Sequence, residues 1–529
     1  MNTTRRGLIL AGGALATPWS GWGARAQAGS LLRIGLASEP TTLDPQFYNL
    51  TPNTEASGYV FDQLVQVDPE GRLVPGLATS WRLLNPTTWE FPLREGVTFH
   101  DGTAFDVEDV LASFARVPTV QNSPSNFVKY LSKIAKAEAV SPHLLRITTV
   151  APYPNLPSDL SQIFIIPRRF VGASTADFNS GAAMIGTGPC RIVEWIPGDR
   201  QVYARNDAAW GQKCPWPRVQ LQLIGRTAAR TAALLSRSVD LINQVSPEDI
   251  ETLGRNADIR LRSVPEPRLM YLSLDVVREQ SPFVRDREGR VLDRNPLRDR
   301  RVRQALSMAL DRSAFVSRVM AGQAVPAGDL MPPGSFGTTP DARPDDFDPA
   351  AARRLLSEAG WPDGFVLTLH GPNDRYVNDA RVVQAAAQYF SRIGIRTEVE
   401  TLPKSIYFSR LASNDFSAFL VGTSPAFGVG ALGMLTYVLT TRDPKAALGA
   451  GNWTHHSNPE LDKLVHAAIT TMDDGERESL TRKAGRIAMH ERTILPLFFG
   501  FNTWAVRKPF DYVPRADGCT LATATTASS

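Results

Sequence analysis

The tightest constraint on this chain is a change of hydrophobic period that repeats along its second half. FVLTL (residues 365–369) reads as a strand, VVQAAAQYFSRIGI as a helix that stops at a glycine, and RTEVETL as the next strand. An apolar repeat that switches between two and 3.6 residues marks alternating strands and helices. Such alternation builds βαβ units and an α/β sheet. RLMYLSLD and ILPLFFGFNTWAVRK are further strands, and PELDKLVHAAITT and DGERESLTRKAGRIAMHE are helices. Residues 298–320 read as one long amphipathic helix. DPAAARRLLSEAG carries Asp348 as N-cap, proline at the first helical position and a glycine stop.

The first half is richer in hairpins. Asp68-Pro69-Glu70-Gly71 is a turn in which proline fixes φ and glycine permits a positive φ. Pro197-Gly198-Asp199 joins two strands, and Asp106 caps the helix VEDVLASFARV. No repeat of 20–50 residues is visible. A chain of 529 residues exceeds one hydrophobic core, so two or three domains are expected. With 43% hydrophobic and 21% charged residues the composition is that of a soluble globular protein. No segment beyond the N-terminus has eighteen consecutive apolar residues, so no internal membrane span is expected.

Residues 1–28 read as an export signal. MNTTRRG is a basic start, LILAGGALA a short apolar run and Ala26-Gln27-Ala28 a small-x-small cleavage pattern. The adjacent Arg5 and Arg6 point to the twin-arginine route, with the Sec route as alternative. Removing Arg5, Arg6 and Arg25, with no acid, takes the formal charge from +4 to about +1. The basic balance therefore belongs to the signal, and no nucleic-acid partner is expected. Three cysteines, Cys190, Cys214 and Cys519, allow at most one disulfide, with Cys190 and Cys214 the nearest pair. Their spacing does not decide between a bond and buried thiols, and it gives no metal knuckle.

Catalytic patterns are missing. GTSPA (residues 422–426) lacks the second glycine of a nucleophile elbow, and there is no HExxH. The acids Asp345 and Asp346 lie in a proline-rich loop, and seven histidines are scattered. His455-His456 are neighbours with no third ligand placed by sequence, so no metal or other cofactor is expected.

One loop is over-supplied for a turn. HGPNDRYVNDAR holds Asn373, Asp374, Arg375, Tyr376 and Asn378 between the strand FVLTL and a helical pattern from about Val382. Turn chemistry accounts for glycine, proline, asparagine and aspartate, but not for Arg375 beside Tyr376. A five-donor planar fork next to a ring suits a carboxylate-bearing ligand.

YVFDQLVQVDPEGRLVPGLATSW, WEFPLREGVTFHDGTAFDVEDVLASF, GTGPCRIVEWIPGDRQVYARNDAAWG, RVRQALSMALDR and SNPELDKLV together resemble the family 5 extracellular solute-binding proteins of ABC importers. The resemblance runs in order over about residues 31–525. It implies a two-lobed periplasmic binding protein of type II, in its large three-subdomain form, with hinge strands near MYLSL and LPLFFG and a central ligand cleft. The implied division is residues 29–67, 184–269 and 496–529 for lobe I, 68–183 for an inserted subdomain, and 270–495 for lobe II. The implied partners are a small-molecule or short-peptide ligand and ABC permease subunits, for a periplasmic monomer that is not an enzyme.

The resemblance also implies site residues. Asn373, Arg375 and Tyr376 match a loop whose arginine meets a peptide carboxylate in peptide-binding relatives. Thr423, Ser424 and Phe427 follow the strand that carries Gly422. There the relatives have tryptophan and then an aspartate for the ligand's free amine. Here Thr423 replaces the tryptophan and SPAFGVG has no acid. Unpaired burial of an ammonium is unfavourable, so a modified or non-peptide ligand is expected over a simple dipeptide. Tyr48, from the early loop TTLDPQFYNLTPN, and Trp453, before SNPELD, complete the candidates.

Overall fold

The computed structural model describes residues 31–124 and 127–527, so the expected export signal, residues 1–28, lies outside the described residues. Twelve of the described strands form one sheet. Its axis is a pair of long antiparallel strands, Ile259–Leu274 and Ile494–Arg507. On one side follow Ala418–Thr423, Val366–Pro372 and Arg396–Leu402; on the other follow Leu241–Ile242, Leu31–Leu36 and Arg218–Leu223. The long strands thus belong to both lobes. They carry the MYLSL and LPLFFG segments.

The pairing of the long strands breaks between Pro265 and Leu269. Pro265 and Pro267 have no N–H to give to a ladder, which interrupts the sheet where the chain passes between lobes.

Lobe II is the alternating half. Val366–Pro372 and Arg396–Leu402 run parallel through the helix Asp379–Arg392, a βαβ unit. Apolar clusters cover both sheet faces, one around Leu367, Leu369 and Phe390, the other around Phe419, Val421 and Leu435. The strand Val366–Pro372 is buried throughout, as a parallel strand covered on both faces should be. It runs three residues beyond FVLTL, so His370, Gly371 and Pro372 pair with Glu400, Thr401 and Leu402 instead of opening the loop. Helix Asp379–Arg392 packs so closely that a Cβ on Gly371 would lie 2.4 Å from Val383 Cγ2.

The long helix expected over residues 298–320 is divided. Arg300–Met308 is helical; Asp311 then caps a new short turn, accepting from Ala314 N at 2.9 Å, and Phe315–Val319 widens into a π-helical turn. Buried Arg312 fixes the break by donating to Pro496 O, Ser307 O and Ser307 Oγ.

Lobe I holds the hairpin Cys190–Ile196 and Arg200–Arg205, turned at Gly198 with φ +80°. A separate four-stranded sheet, in the order Arg82–Asn85, Thr88–Pro92, Leu144–Thr149, Ile134–Ser141, has its own apolar core around Phe91, Phe99, Phe105 and Leu145. Asp106 caps its helix through a reciprocal capping box with Asp109.

Candidate functional site

A cavity of about 1030 Å³ lies between the lobes, with the interrupted hinge strands in its floor. That volume is at the upper end for small-ligand pockets.

The lobe II wall is the over-supplied loop. Asp379 Oδ2 accepts the backbone N–H groups of Arg375 (2.9 Å) and Tyr376 (3.0 Å), and Asn378 takes a left-handed φ of 56° while its amide donates to Val319 O. The loop is therefore set by its own acid and asparagine, which leaves Arg375 and Tyr376 for other work. Tyr376 Oη donates to Gly422 O at 3.2 Å. A Cβ at Gly422 would come 2.6 Å from Met270 Sδ and 2.9 Å from Tyr376 Cε1, so glycine is required for that approach. The Arg375 guanidinium lies over the Tyr376 ring, 4.9 Å from its centre. Asp374 is engaged by Lys404 N, and no carboxylate of the described residues forms an ion pair with Arg375. An exposed guanidinium thus faces the cavity beside a ring.

The lobe I wall contributes acids that are already bonded. Asp62 is buried and accepts from Trp210 Nε1 (2.8 Å), Thr187 Oγ1 (2.8 Å) and Gln66 Nε2 (2.9 Å). Burial pushes its carboxyl above the usual range despite these donors. Asp517 is paired with Arg515, and Glu266, in the hinge, with Arg268 at 2.6 Å. Arg230 spends its donors on the carbonyls of Asn243, Ile224, Gly225 and Gln244. Among the described charged groups in the wall, Arg375 is the one whose side chain has no hydrogen bond or ion pair within the protein, only the Tyr376 ring beneath it.

Contacts also cross between the lobes. The Phe427 ring packs on Gly71, whose φ is +86°, and Phe427 O accepts from Ser158 Oγ at 2.5 Å. Arg381 and Glu248 form an exposed ion pair at 2.9 Å.

Residues 72–444 match the family description "Bacterial extracellular solute-binding proteins, family 5 Middle". The chain belongs to this family. Family 5 consists of solute-binding proteins rather than enzymes. The glutathione-binding protein GsiB of Shigella dysenteriae is 26% identical over 475 residues, 88% of each chain. Among solved structures, HbpA2 from Haemophilus parasuis superposes with a TM-score of 0.81 at 21% identity, covering 94% of this chain and 100% of that one. The Helicobacter pylori DppA complex with the peptide STSA gives 0.72 at 20%, covering 95% and 98%.

Against this family 5 frame the expected site residues divide. Arg375, Tyr376, Ser424 and Phe427 line the cavity. Asn373 is exposed outside the wall, with its N–H on Leu402 O. Thr423 also lies outside it, its hydroxyl 3.0 Å from Tyr271 Oη. Tyr48 is not in the wall, although its neighbour Asn49 is. Trp453 packs on the apolar cluster around Phe419 and Leu435, away from the cavity. Asp62, Trp210 and the Glu266–Arg268 pair were not anticipated. Asp62 and Trp210 stand inside the quoted phrases YVFDQ and NDAAWG, where their types suit packing as well as binding.

Among the described residues no helix is long and apolar enough to cross a membrane, and no group of three His, Cys, Asp or Glu could hold a metal ion. His456 is buried against Asn452.

Proposed function

We propose that this solute-binding protein captures a small peptide-like or amino-acid-conjugate solute bearing a carboxylate, and delivers it to the permease of an ABC importer. Export by the twin-arginine or Sec route would bring it to the periplasm, where it acts as a monomer without chemistry of its own. Lobe I, with residues 68–183 inserted, closes on lobe II (residues 270–495) about the interrupted strands, as ligand affinity for the closed state draws the lobes together. The observation that carries the reading is Arg375, a cavity-facing guanidinium with no carboxylate partner among the described residues. Peptide and glutathione binding by the similar proteins agrees with it.

A second reading, a non-peptide solute such as a sugar–amino acid conjugate or metal chelate, is favoured by the acids of the wall. Asp62, Glu266 and Asp517 are all bonded within the protein, which leaves no ready partner for a free ammonium. Mass spectrometry of the purified protein under denaturing conditions would identify the solute it carries. Arg375→Ala should then weaken binding of a carboxylate solute by about 1.5–3 kcal/mol, the range for hydrogen bonds to charged groups. Unchanged affinity in titration calorimetry would remove Arg375 from the site.

A further inference from the structure

Two of the three cysteines meet inside lobe I. Cys190 opens the strand Cys190–Ile196, opposite Arg205. Cys214 lies in the connection, residues 206–217, that leads from Arg205 to the strand Arg218–Leu223. Both side chains are buried in one cluster with Tyr59, Tyr203 and Trp216. Both are free thiols, close enough for each to shift the other. Cys519 is buried apart from them, beside Asp517.

The connection matters because its tip is cavity wall. Residues 209–212 line the cavity, and Trp210 donates to Asp62. Its base is held by Arg205 N on Pro217 O (3.1 Å) and Asn206 N on Pro189 O (2.9 Å), so both ends of the connection are anchored within one or two strands of Cys190.

We infer that Cys190 and Cys214 form a disulfide in the exported protein, fastening this stretch of cavity wall to the sheet of lobe I. The inference rests on the periplasmic reading above, because a reducing compartment keeps such pairs as thiols. In the open chain the thiolate of one cysteine attacks one sulfur of a small disulfide oxidant, forming a mixed disulfide and releasing one thiolate. That thiolate takes the proton of the other cysteine, whose sulfur displaces the second. Two protein thiols are oxidised and one external disulfide is reduced to two thiols. Because both sulfurs are buried, the exchange belongs to folding, before the cluster closes.

The test is to refold the reduced full chain in a cystamine–cysteamine buffer, alkylate it and map the peptides. Glutathione is avoided because the similar GsiB proteins bind it. The expected map links Cys190 to Cys214, leaves Cys519 alkylated, and accompanies a melting temperature raised by a few degrees over the reduced protein. Cys519→Ala should keep the link, and Cys190→Ala and Cys214→Ala should each lose both the link and the rise. Three alkylated cysteines, or a link to Cys519, would overturn the pairing, and the wild-type map decides even where a variant does not fold. The buffer fixes the redox poise, so failure of the periplasmic reading would show separately, as protein confined to the cytoplasm on cell fractionation.

Discussion

Glu55 is buried with one carboxylate oxygen on the N–H of Thr520 at 2.6 Å, and burial raises its carboxyl to about 8. The unfolded value is near 4.5. Between these values the folded state holds one proton more than the unfolded state. Its contribution is therefore complete below about 4.5, and falls as pH rises to about 8 by roughly 1.4 kcal/mol per pH unit. Asp62, also raised by burial, adds a loss of the same sign. Glu55→Gln should make the decline shallower, read from urea midpoints at about pH 5, 6.5 and 8; equal slopes would mean that Glu55 is ionised in the fold. At this scale the sequence was legible where residue type conflicts with local need. Arg375 and Tyr376 stood out because a turn has no use for them. Asp62 and Trp210 did not, since their partnership spans 148 positions and neither residue is odd where it stands. Tyr48 and Trp453 show the converse: an aromatic near a family phrase carries no information about which way it faces.

Elements followed from period and caps wherever neighbours in sequence decide the outcome. The βαβ unit of lobe II, the Asp106 and Asp348 caps and the Gly198 hairpin all do so. The divided helix does not, because the apolar spacing continues through Leu310 while the break is set by Arg312 reaching Pro496 O across 184 positions. The strand carrying Gly422 offers the sharpest test at this scale. Gly422→Ala places a methyl against Met270 and Tyr376, and such overpacking costs about 1–3 kcal/mol. Moving Tyr376 should also displace Arg375, so solute affinity should fall by about tenfold or more, a loss of about 1.4 kcal/mol. A variant that loses stability but binds normally would separate this strand from the site.

At the scale of the molecule, the hinge is a gap in one sheet and not a linker between two. The proposed closure would turn about this gap, Pro265 to Leu269. Solute should lower the radius of gyration in small-angle scattering, and saturation at about 100 times Kd should add roughly 2.7 kcal/mol of stability. Stabilisation without compaction would argue for a cleft that fills while already shut. The exposed Arg381–Glu248 pair should matter little: Arg381→Ala is expected to change solute affinity by under about 1 kcal/mol, and less in high salt. The two-lobed plan was legible from family phrases spread along the chain. Its division into cavity walls was not, because the wall is assembled from segments far apart in sequence.

That assembly has a bearing on birth of the molecule at the ribosome. Leu31–Leu36 emerges early, but Leu241–Ile242 beside it still needs Ala505 and Val506 on its other edge. Glu55 and Tyr59 wait longer, for Thr520 and Ala522. The four-stranded sheet and much of lobe II have their partners within their own stretch of chain and can settle as they appear. Lobe I stays unfinished until Thr520 and Ala522 are in place, so a released chain ending at Lys508 would carry a nearly complete lobe II joined to a lobe I still open to chaperones and proteases.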